Sequence, residues 1–255
     1  MLLAIDIGNT HTVVGLFENR QLRNHWRITS SLARTEDEIA AVLNYLFINE
    51  GVQVSDLNGA AISSVVPDLT FVYEIMCNRY LALEPLLINA DVVLGMQVKY
   101  ADPSLVGADR LCNAVAGKEL YGQPLIVLDF GTATTFDCID QNGDYLGGVI
   151  SPGVHSSIDA LHKNAARLPK VATEFPDNLI GRTTSDSIKS GILYGTVFMV
   201  EGMIEHLKKE LGPETQIVAT GGLAKRISGK TDKVPNVDLH LSLKGIASIF
   251  YKNSI

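Results

Sequence analysis

The stretch "LLAIDIGNTHTVVGLF", Leu2 to Phe17, decides the fold. It opens with a continuous apolar run, which is typical of a buried strand, and resumes as a strand from Thr12. Between the two lie an acid, a glycine and small polar residues. Gly8 and Asn9 are ordinary turn residues, so the simplest interpretation is a tight turn. The alternative is a phosphate site, because a glycine turn lets backbone N–H groups approach phosphate oxygens and threonine hydroxyls add donors.

A second copy of this pattern favours the phosphate site. Asp129–Thr135, "DFGTATT", lines up without a gap with Asp6–Thr12, "DIGNTHT", about half a chain later. Each copy follows an apolar strand and leads into another strand. The repetition predicts an α/β protein of two related halves, each a mixed sheet flanked by helices, over residues 1–115 and 116–255. The terminal helix of the second half is expected to be able to pack back on the first, and phosphates are expected to be clamped between the halves.

Composition excludes several functional classes. The chain has 255 residues, of which 46% are hydrophobic and 19% charged, and this is typical of a globular protein. A net charge of -7 without a basic run argues against nucleic-acid binding. The three cysteines form no CxxC pair, which disfavours a zinc site or a disulfide framework and favours a reduced, cytoplasmic protein. No apolar run approaches the ~20 residues of a membrane span, and the apolar start is too short for a signal peptide.

Periodicity and turn residues predict the elements of both halves. Strands are predicted over Leu2–Asp6, Thr12–Phe17, Gln21–Ile28, Gly59–Val65, Glu84–Ile88, the Pro124–Asp140 region and Gln216–Thr220. Helices are predicted over Thr35–Phe47, Leu69–Tyr80, Leu105–Leu120, Ser156–Ala166, Thr184–Leu211 and Leu243–Tyr251.

Asp6 stands at the end of its strand, where a carboxylate can hold Mg²⁺ directly or through water. Gly221-Gly222 follows another strand, and is interpreted either as a strand-to-helix turn or as a wall on the adenosine side of a nucleotide. The chain contains no GxxxxGK[ST] motif and no GxGxxG motif opening the first helix. A P-loop and a Rossmann site are therefore disfavoured.

The segment "GADR", residues 107–110, is the candidate for the substrate side. Asp109 is expected in the first turn of a helix, where the helix dipole favours an ionised carboxylate that can accept a proton from an alcohol. Arg110 has the fork of donors that suits a substrate carboxylate. The alternative is that Asp109 only stabilises the helix start and that Arg110 is a solvated surface charge.

In their order along the chain, these motifs resemble type III pantothenate kinases, a family of the acetate kinase/sugar kinase/Hsp70/actin superfamily. The resemblance covers nearly the whole chain and rests on six segments: "DIGNTHTVVG" (6–15), "GADR" (107–110), "DFGTATT" (129–135), "GGVISPG" (147–153), "GRTTSDSI" (181–188) and "ATGGLA" (219–224). It implies two RNase H-like halves of the actin-like ATPase fold with an ATP cleft between them. It also implies ATP-dependent phosphorylation of pantothenate to 4′-phosphopantothenate, the first step of coenzyme A biosynthesis.

The resemblance also implies roles for individual residues. The general base would be Asp109. ATP would be contacted by Asp6, Ile7, Gly8, Asn9, Thr10, His11, Thr12, Val13 and Thr132. Pantothenate would be contacted by Tyr100, Gly107, Ala108, Asp109, Arg110 and Thr184. Thr184 would reach the pocket of a partner subunit, which implies a homodimer with a shared substrate pocket.

Two of these assignments keep a structural alternative. Tyr100 is equally explained as a packing aromatic. Thr184 is explained as the N-cap of its helix, and that role is compatible with substrate contact.

Asp129 is the counterpart of Asp6 in the second copy. One Mg²⁺ rarely needs two separate strand-end carboxylates, and ATP with several acids would leave excess negative charge. We therefore expect a monovalent cation, K⁺ or NH₄⁺, beside Asp129, and the resemblance points the same way. The alternative is that Asp129 caps its turn or shares Mg²⁺ with Asp6.

Two other functions fit the same fold. One is a non-catalytic regulator or filament-forming ATPase, against which the intact GADR segment argues. The other is a kinase of another small carboxylate-bearing alcohol.

Overall fold

The computed structural model describes residues 1–254, which form two compact units. The first unit contains residues 1–116 together with the C-terminal segment from His240, and the second contains Gly117–Leu239. The division falls inside a helix, Ala108–Tyr121, and the chain returns to the first unit for its last helix.

The first unit is a five-stranded mixed sheet with helices. Its strands are β1 (Leu2–Ile7), β2 (His11–Glu18), β3 (Gln21–Thr29), β4 (Gly59–Ser64) and β5 (Leu86–Leu87). Their order is β3-β2-β1-β4-β5, with β1–β2 and β2–β3 antiparallel and β1–β4 and β4–β5 parallel. The helices are α1 (Glu36–Asn49), α2 (Pro67–Met76) and α3 (Ala108–Tyr121), with α7 (Leu241–Asn253) returning from the end of the chain.

The second unit repeats this topology. Its strands are β6 (Leu125–Phe130), β7 (Ala133–Ile139), β8 (Tyr145–Pro152), β9 (Gln216–Thr220) and β10 (Asn236–Val237), in the order β8-β7-β6-β9-β10. The first three strands pair antiparallel, and β9 pairs parallel with both β6 and β10. The helices are α4 (Val154–Asn164), α5 (Thr184–Leu211) and α6 (Ala224–Ser228). The predicted fold of two related mixed sheets with helices is therefore confirmed.

The register of the two hairpins corrects the alignment of the repeats. Ile7 pairs with Thr12 across the first turn, whereas Phe130 pairs with Thr134 across the second. The second turn is thus one residue shorter, so Thr12 corresponds to Thr134 and not to Thr135. Both of these threonines are almost completely buried, at 0% and 1% exposed.

Each unit has its own apolar core. In the first, β1 is buried on both faces, as expected for a central strand with parallel and antiparallel neighbours. α1 begins with a complete capping box, in which Thr35 and Glu38 each satisfy a backbone N–H of the other. In the second, α5 contributes Leu193, Val197, Val200 and Ile204 to the core.

Several predicted helices have different bounds. α2 begins at Pro67, which the first helical position tolerates, and a π-helical turn over Cys77–Leu81 continues it. α3 begins three residues later than predicted because a separate 3₁₀ turn occupies Pro103–Leu105. Within residues 1–254, none of the helices combines the length and apolar character that crossing a membrane requires.

Candidate functional site

The first phosphate-turn candidate joins β1 to β2. Gly8 N–H donates to the carbonyl of His11 at 3.1 Å, which closes the turn. A Cβ on Gly8 would lie 3.0 Å from that same carbonyl oxygen, so a larger residue would press on the turn. Asn9, Thr10 and His11 are exposed on it, and this is the arrangement that a ligand contact needs.

Ser30, immediately after β3, stabilises this turn by hydrogen bonds. Its hydroxyl donates to the carbonyl of Gly8 at 2.6 Å, and its N–H donates to the carbonyl of Thr10 at 3.0 Å. The hydroxyl also lies 3.0 Å from that of Thr12. Ser30 was not among the predicted site residues. Its contribution depends on the β2–β3 register, which places His11 opposite Thr29.

The predicted ATP residues fall into two groups in the structure. Ile7 and Thr12 are fully buried, so their side chains are not available to a ligand. Val13 is half-buried and pairs with Asp6 across the β1–β2 ladder.

Asp6 is held at the end of β1 by its neighbours. Ser63, its register partner on β4, donates its hydroxyl to the Asp6 carboxylate at 3.1 Å. Burial, reinforced by the negative charge of Asp109, raises the pKa of Asp6 from 3.8 to about 7, while hydrogen bonds from Ser63 and Ser242 oppose the rise. A nearby cation would stabilise the ionised form of this buried carboxylate.

Asp109 lies in the first turn of α3, as predicted, and belongs to the same unit as Asp6. Its carboxylate accepts the backbone N–H of Arg110 at 2.8 Å. Burial raises the pKa of Asp109, and the N–H and guanidinium of Arg110 oppose the rise. A raised pKa brings a carboxylate closer to the working range of a general base at neutral pH.

Gly107 explains how the Asp109 carboxylate is placed. Its carbonyl accepts the first backbone bonds of α3, from Arg110 and Leu111. A Cβ on Gly107 would lie 2.5 Å from the Asp109 carboxylate oxygen. A larger residue at position 107 would therefore push the Asp109 carboxylate out of this position. This constraint is separate from the predicted space for substrate.

The remaining predicted substrate residues of this unit differ in exposure. Ala108 is buried, and Arg110 is 9% exposed, so Arg110 is not a freely solvated surface charge. Tyr100 is 38% exposed and lies in the loop before the 3₁₀ turn.

The second phosphate-turn candidate joins β6 to β7. Gly131 N–H donates to the carbonyl of Ala133 at 3.0 Å, and the carbonyl of Thr132 accepts the Ser156 hydroxyl at 2.7 Å. A Cβ on Gly153 would overlap the carbonyl oxygens of this turn. The turn is therefore packed directly against the start of α4.

Asp129 occupies the position in the second sheet that Asp6 has in the first, and pairs with Thr135 and Thr220. Its carboxylate is half-buried and lies close to the backbone of Gly221. A Cβ on Gly221, whose φ is +91°, would overlap the carboxylate oxygen, and one on Gly131 would lie 3.4 Å from it. Gly221 is thus the tight turn after β9 and also shapes the surroundings of Asp129.

Thr184 lies at the start of α5 and is exposed. The N-cap of this helix is Thr183, whose hydroxyl accepts the N–H of Asp186 at 3.1 Å. The N-cap interpretation of Thr184 is therefore wrong, and its hydroxyl is not used for capping.

The side chains at both turns are of the chemical kind that the expected cations bind. Mg²⁺ prefers oxygen ligands and keeps several waters, and Asp6 offers one carboxylate beside the Ser63 hydroxyl. Asp129 offers a carboxylate next to Gly221, where a Cβ would not fit. Over residues 1–254, no group of three or more His, Cys, Asp or Glu side chains is arranged to hold a metal ion by itself.

This chain resembles a known protein family and several solved structures. A family model for type III pantothenate kinase matches residues 2–206. Among solved structures, a protein described as a Baf family transcriptional activator from Campylobacter jejuni has a TM-score of 0.65 at 19% identity, covering 99% of this chain and 98% of that one. Component A of (R)-2-hydroxyglutaryl-CoA dehydratase from Acidaminococcus fermentans has a TM-score of 0.58 at 13% identity, covering 100% and 99%.

A third solved structure, the ethanolamine utilization protein EutJ from Carboxydothermus hydrogenoformans, has a TM-score of 0.56 at 14% identity, covering 96% of this chain and 88% of that one. These likenesses establish the shared fold, which is that of the actin-like ATPases and sugar kinases.

Proposed function

Because this chain belongs to the type III pantothenate kinase family, we propose that it transfers the γ-phosphoryl group of ATP to the primary hydroxyl of pantothenate. The product is 4′-phosphopantothenate, and the reaction opens coenzyme A biosynthesis. The observation that carries this proposal is the family match over residues 2–206, which includes both phosphate turns and the GADR segment.

Phosphoryl transfer needs positioning and charge neutralisation more than covalent help. In the first unit, the backbone of the turn over Gly8–Thr10 would hold phosphate oxygens and Asp6 would hold Mg²⁺ directly or through water. In the second, the turn at Thr132 would contribute further phosphate contacts. Bound Mg²⁺ supplies positive charge to the phosphates. The hydrogen bonds of Ser30 support this role, because they fix carbonyls of the first turn. They therefore also fix the direction of the N–H groups of that turn.

Asp109 would accept the proton of the pantothenate hydroxyl late in the transfer, and Arg110 would bind the substrate carboxylate. Two features support these roles. The pKa of Asp109 is raised, mainly by burial, which suits a base near neutral pH. Arg110 is largely buried directly beside that base, where its donors suit a carboxylate. Tyr100, Gly107 and Ala108 would complete the substrate contacts in this unit.

The direct test is ADP release in a coupled assay with a panel of acceptors: pantothenate, acetate, hexoses and other carboxylate-bearing alcohols. We expect pantothenate to stimulate ADP release most, with a product whose mass is that of the monophosphate. Absence of stimulation by pantothenate contradicts the proposal. Stimulation by a different carboxylate-bearing alcohol alone would support the alternative kinase.

A monovalent cation, K⁺ or NH₄⁺, is proposed beside Asp129. Support comes from the close approach of the Gly221 backbone to that carboxylate and from the excess negative charge that ATP would bring. We expect strong activation by K⁺ or NH₄⁺ over Na⁺ at fixed ionic strength and fixed Mg²⁺. Asp129→Asn should lose this activation, whereas Asp6→Asn should change the Mg²⁺ dependence. Equal rates in Na⁺ and K⁺ would remove the monovalent site.

A homodimer with a shared pocket is also proposed, with Thr184 reaching the partner's substrate. Support comes from the exposed position of Thr184 and from its hydroxyl not being the helix cap. The three cysteines are free and buried, which supports a reducing, cytoplasmic setting.

A further inference from the structure

Arg34 lies in the loop between β3 and α1, close to the turn that joins β1 to β2. It lines a small cavity of the first unit together with Thr12 and Ser30. The Ser30 hydroxyl donates to the carbonyl of Gly8 in that turn and lies 3.0 Å from the Thr12 hydroxyl. Because Thr12 is fully buried, the Arg34 side chain approaches the turn from the interior of the unit.

The guanidinium group of Arg34 is not fully satisfied by the protein. Within residues 1–254, its Nη1 atom is buried and has no hydrogen-bond partner. A buried donor without an acceptor costs free energy, and a charged donor costs more than a neutral one. The hydroxyl groups that line the cavity can accept a hydrogen bond but cannot neutralise the charge. Negative charge brought close to this side chain would therefore stabilise it.

The acidic residues that follow Arg34 in the sequence have other partners. Helix α1 begins with three of them, Glu36, Asp37 and Glu38. The first two contact the guanidinium of Arg79 at 3.3 and 3.2 Å. The third accepts the backbone N–H of Thr35 at 2.9 Å and completes the capping box of α1. The positive charge of Arg34 is therefore available to a ligand at the neighbouring turn.

We propose that Arg34 is a positioning residue of the nucleotide site, whose charge stabilises the phosphates of ATP from behind the turn over Gly8–Thr10. It acts through the turn and does not touch the reacting atoms. The inference rests on the proposed function only in placing ATP phosphates at this turn. Its effect should grow with the number of phosphates, because electrostatic attraction increases with the charge of the ligand.

The test is calorimetric binding of ATP, ADP and adenosine to Arg34→Gln in the full chain, at fixed Mg²⁺. We expect the affinity for ATP to fall several-fold, that for ADP to fall less, and that for adenosine to stay unchanged. Arg34→Lys keeps the charge and should restore most of the affinity for ATP. Arg23→Gln is the matched control, because it removes the same charge near the start of β3, where Arg23 contacts Glu18 at 3.5 Å. It should bind all three ligands as the wild type does.

The ratio of the affinities for ATP and adenosine is the readout that a merely structural role would not change. An equal loss of affinity for ATP and adenosine in Arg34→Gln would overturn the proposal, and so would an unchanged affinity for ATP. If Arg34→Gln does not fold, Arg34→Met keeps the apolar stem and provides the same comparison. Failure of the proposed function is seen separately, as a wild-type chain that binds ATP without phosphorylating pantothenate.

Discussion

Gly107 shows how a single missing side chain can set the position of a functional group. A Cβ on residue 107 would lie 2.5 Å from an oxygen of the Asp109 carboxylate, which is too close for both atoms to keep their places. Gly107→Ala should therefore displace the carboxylate while leaving helix α3 formed. We expect kcat to fall towards the loss seen on removing a general base, about 10²–10⁴-fold.

Leu120→Ala is the control for this change. Leu120 lies near the other end of the same helix and is 54% exposed, so its substitution should leave kcat unchanged. A fully active Gly107→Ala would show that the carboxylate position in the structure is not the catalytic one.

Asp109 itself gives the direct prediction for the base. Asp109→Asn changes the shape of the side chain little, so the fold and ATP binding should be retained. Turnover should fall about 10²–10⁴-fold. Because burial raises the pKa of Asp109, the wild-type rate should decline with acidity at a higher pH than an ordinary carboxylate would give. A variant with near wild-type turnover would show that Asp109 only stabilises the start of its helix.

At the scale of elements, the β1–β2 turn depends on the residue that follows β3. Ser30→Ala removes the side-chain bond to the carbonyl of Gly8 and the contact with Thr12. We expect the KM for ATP to rise by about 3–30-fold, because one to two hydrogen bonds of roughly 1 kcal/mol each hold the turn. Steady-state kinetics with varied ATP measures this.

The adjacent Ser31→Ala serves as the control, since its hydroxyl only accepts a long bond of 3.4 Å from Ala33. If both variants keep the wild-type KM for ATP, the first turn does not need the Ser30 hydrogen bonds to bind nucleotide.

Sequence patterns predicted the long elements well and the fine geometry of the turns poorly. α5 and β9 have the predicted bounds, because a long helical period and a short apolar strand between turn residues are strong local signals. The two turns differ by one residue in length, and this appears only in the strand register. Ser30 and Ser63 could not be found from local signals, because tertiary contacts bring them to the site.

The helix α5 shows the same limit. From the sequence, its many apolar residues are explained either by an interface between subunits or by burial inside its own unit. In the structure, Leu193, Val197, Val200 and Ile204 lie in the core of their own unit. Apolar content alone therefore does not argue for a dimer.

At the scale of the whole molecule, Asp6 should make stability depend on pH. Its folded pKa is about 7 against 3.8 ordinarily, so the folded chain retains a proton that the unfolded chain releases between these values. Stability should therefore fall as pH rises from about 4 to 7, and the cost should be fully present above 7. Asp6→Asn should stabilise the ligand-free protein at pH 8 by roughly 1–3 kcal/mol and much less at pH 4.5.

Chemical denaturation at both pH values measures this difference. Asp232→Asn, at an exposed position, is the control and should change the free energy of unfolding at pH 8 much less than Asp6→Asn does. A stability difference for Asp6→Asn that is the same at pH 4.5 and pH 8 would contradict the raised pKa.

The proposed dimer has a sharper test than apolar content. Gly191, Gly195 and Gly202 have open space on α5, and Phe198 beside them is 53% exposed. Within one chain, a larger residue at Gly195 meets nothing and should favour the helix by up to about 1 kcal/mol. If a partner subunit packs on this face, Gly195→Gln should instead weaken association and lower turnover of pantothenate, because Thr184 would no longer reach the partner's pocket.

Light scattering and activity at micromolar protein distinguish these outcomes. Glu201→Gln introduces the same side chain on another face of the same helix and should remain dimeric and active. A wild-type chain that is monomeric and fully active would contradict the shared pocket. If Gly195→Gln leaves the dimer intact, the interface lies elsewhere and does not include this face of α5. A more stable but monomeric Gly195→Gln would assign the glycine to the interface and not to the fold of its own unit.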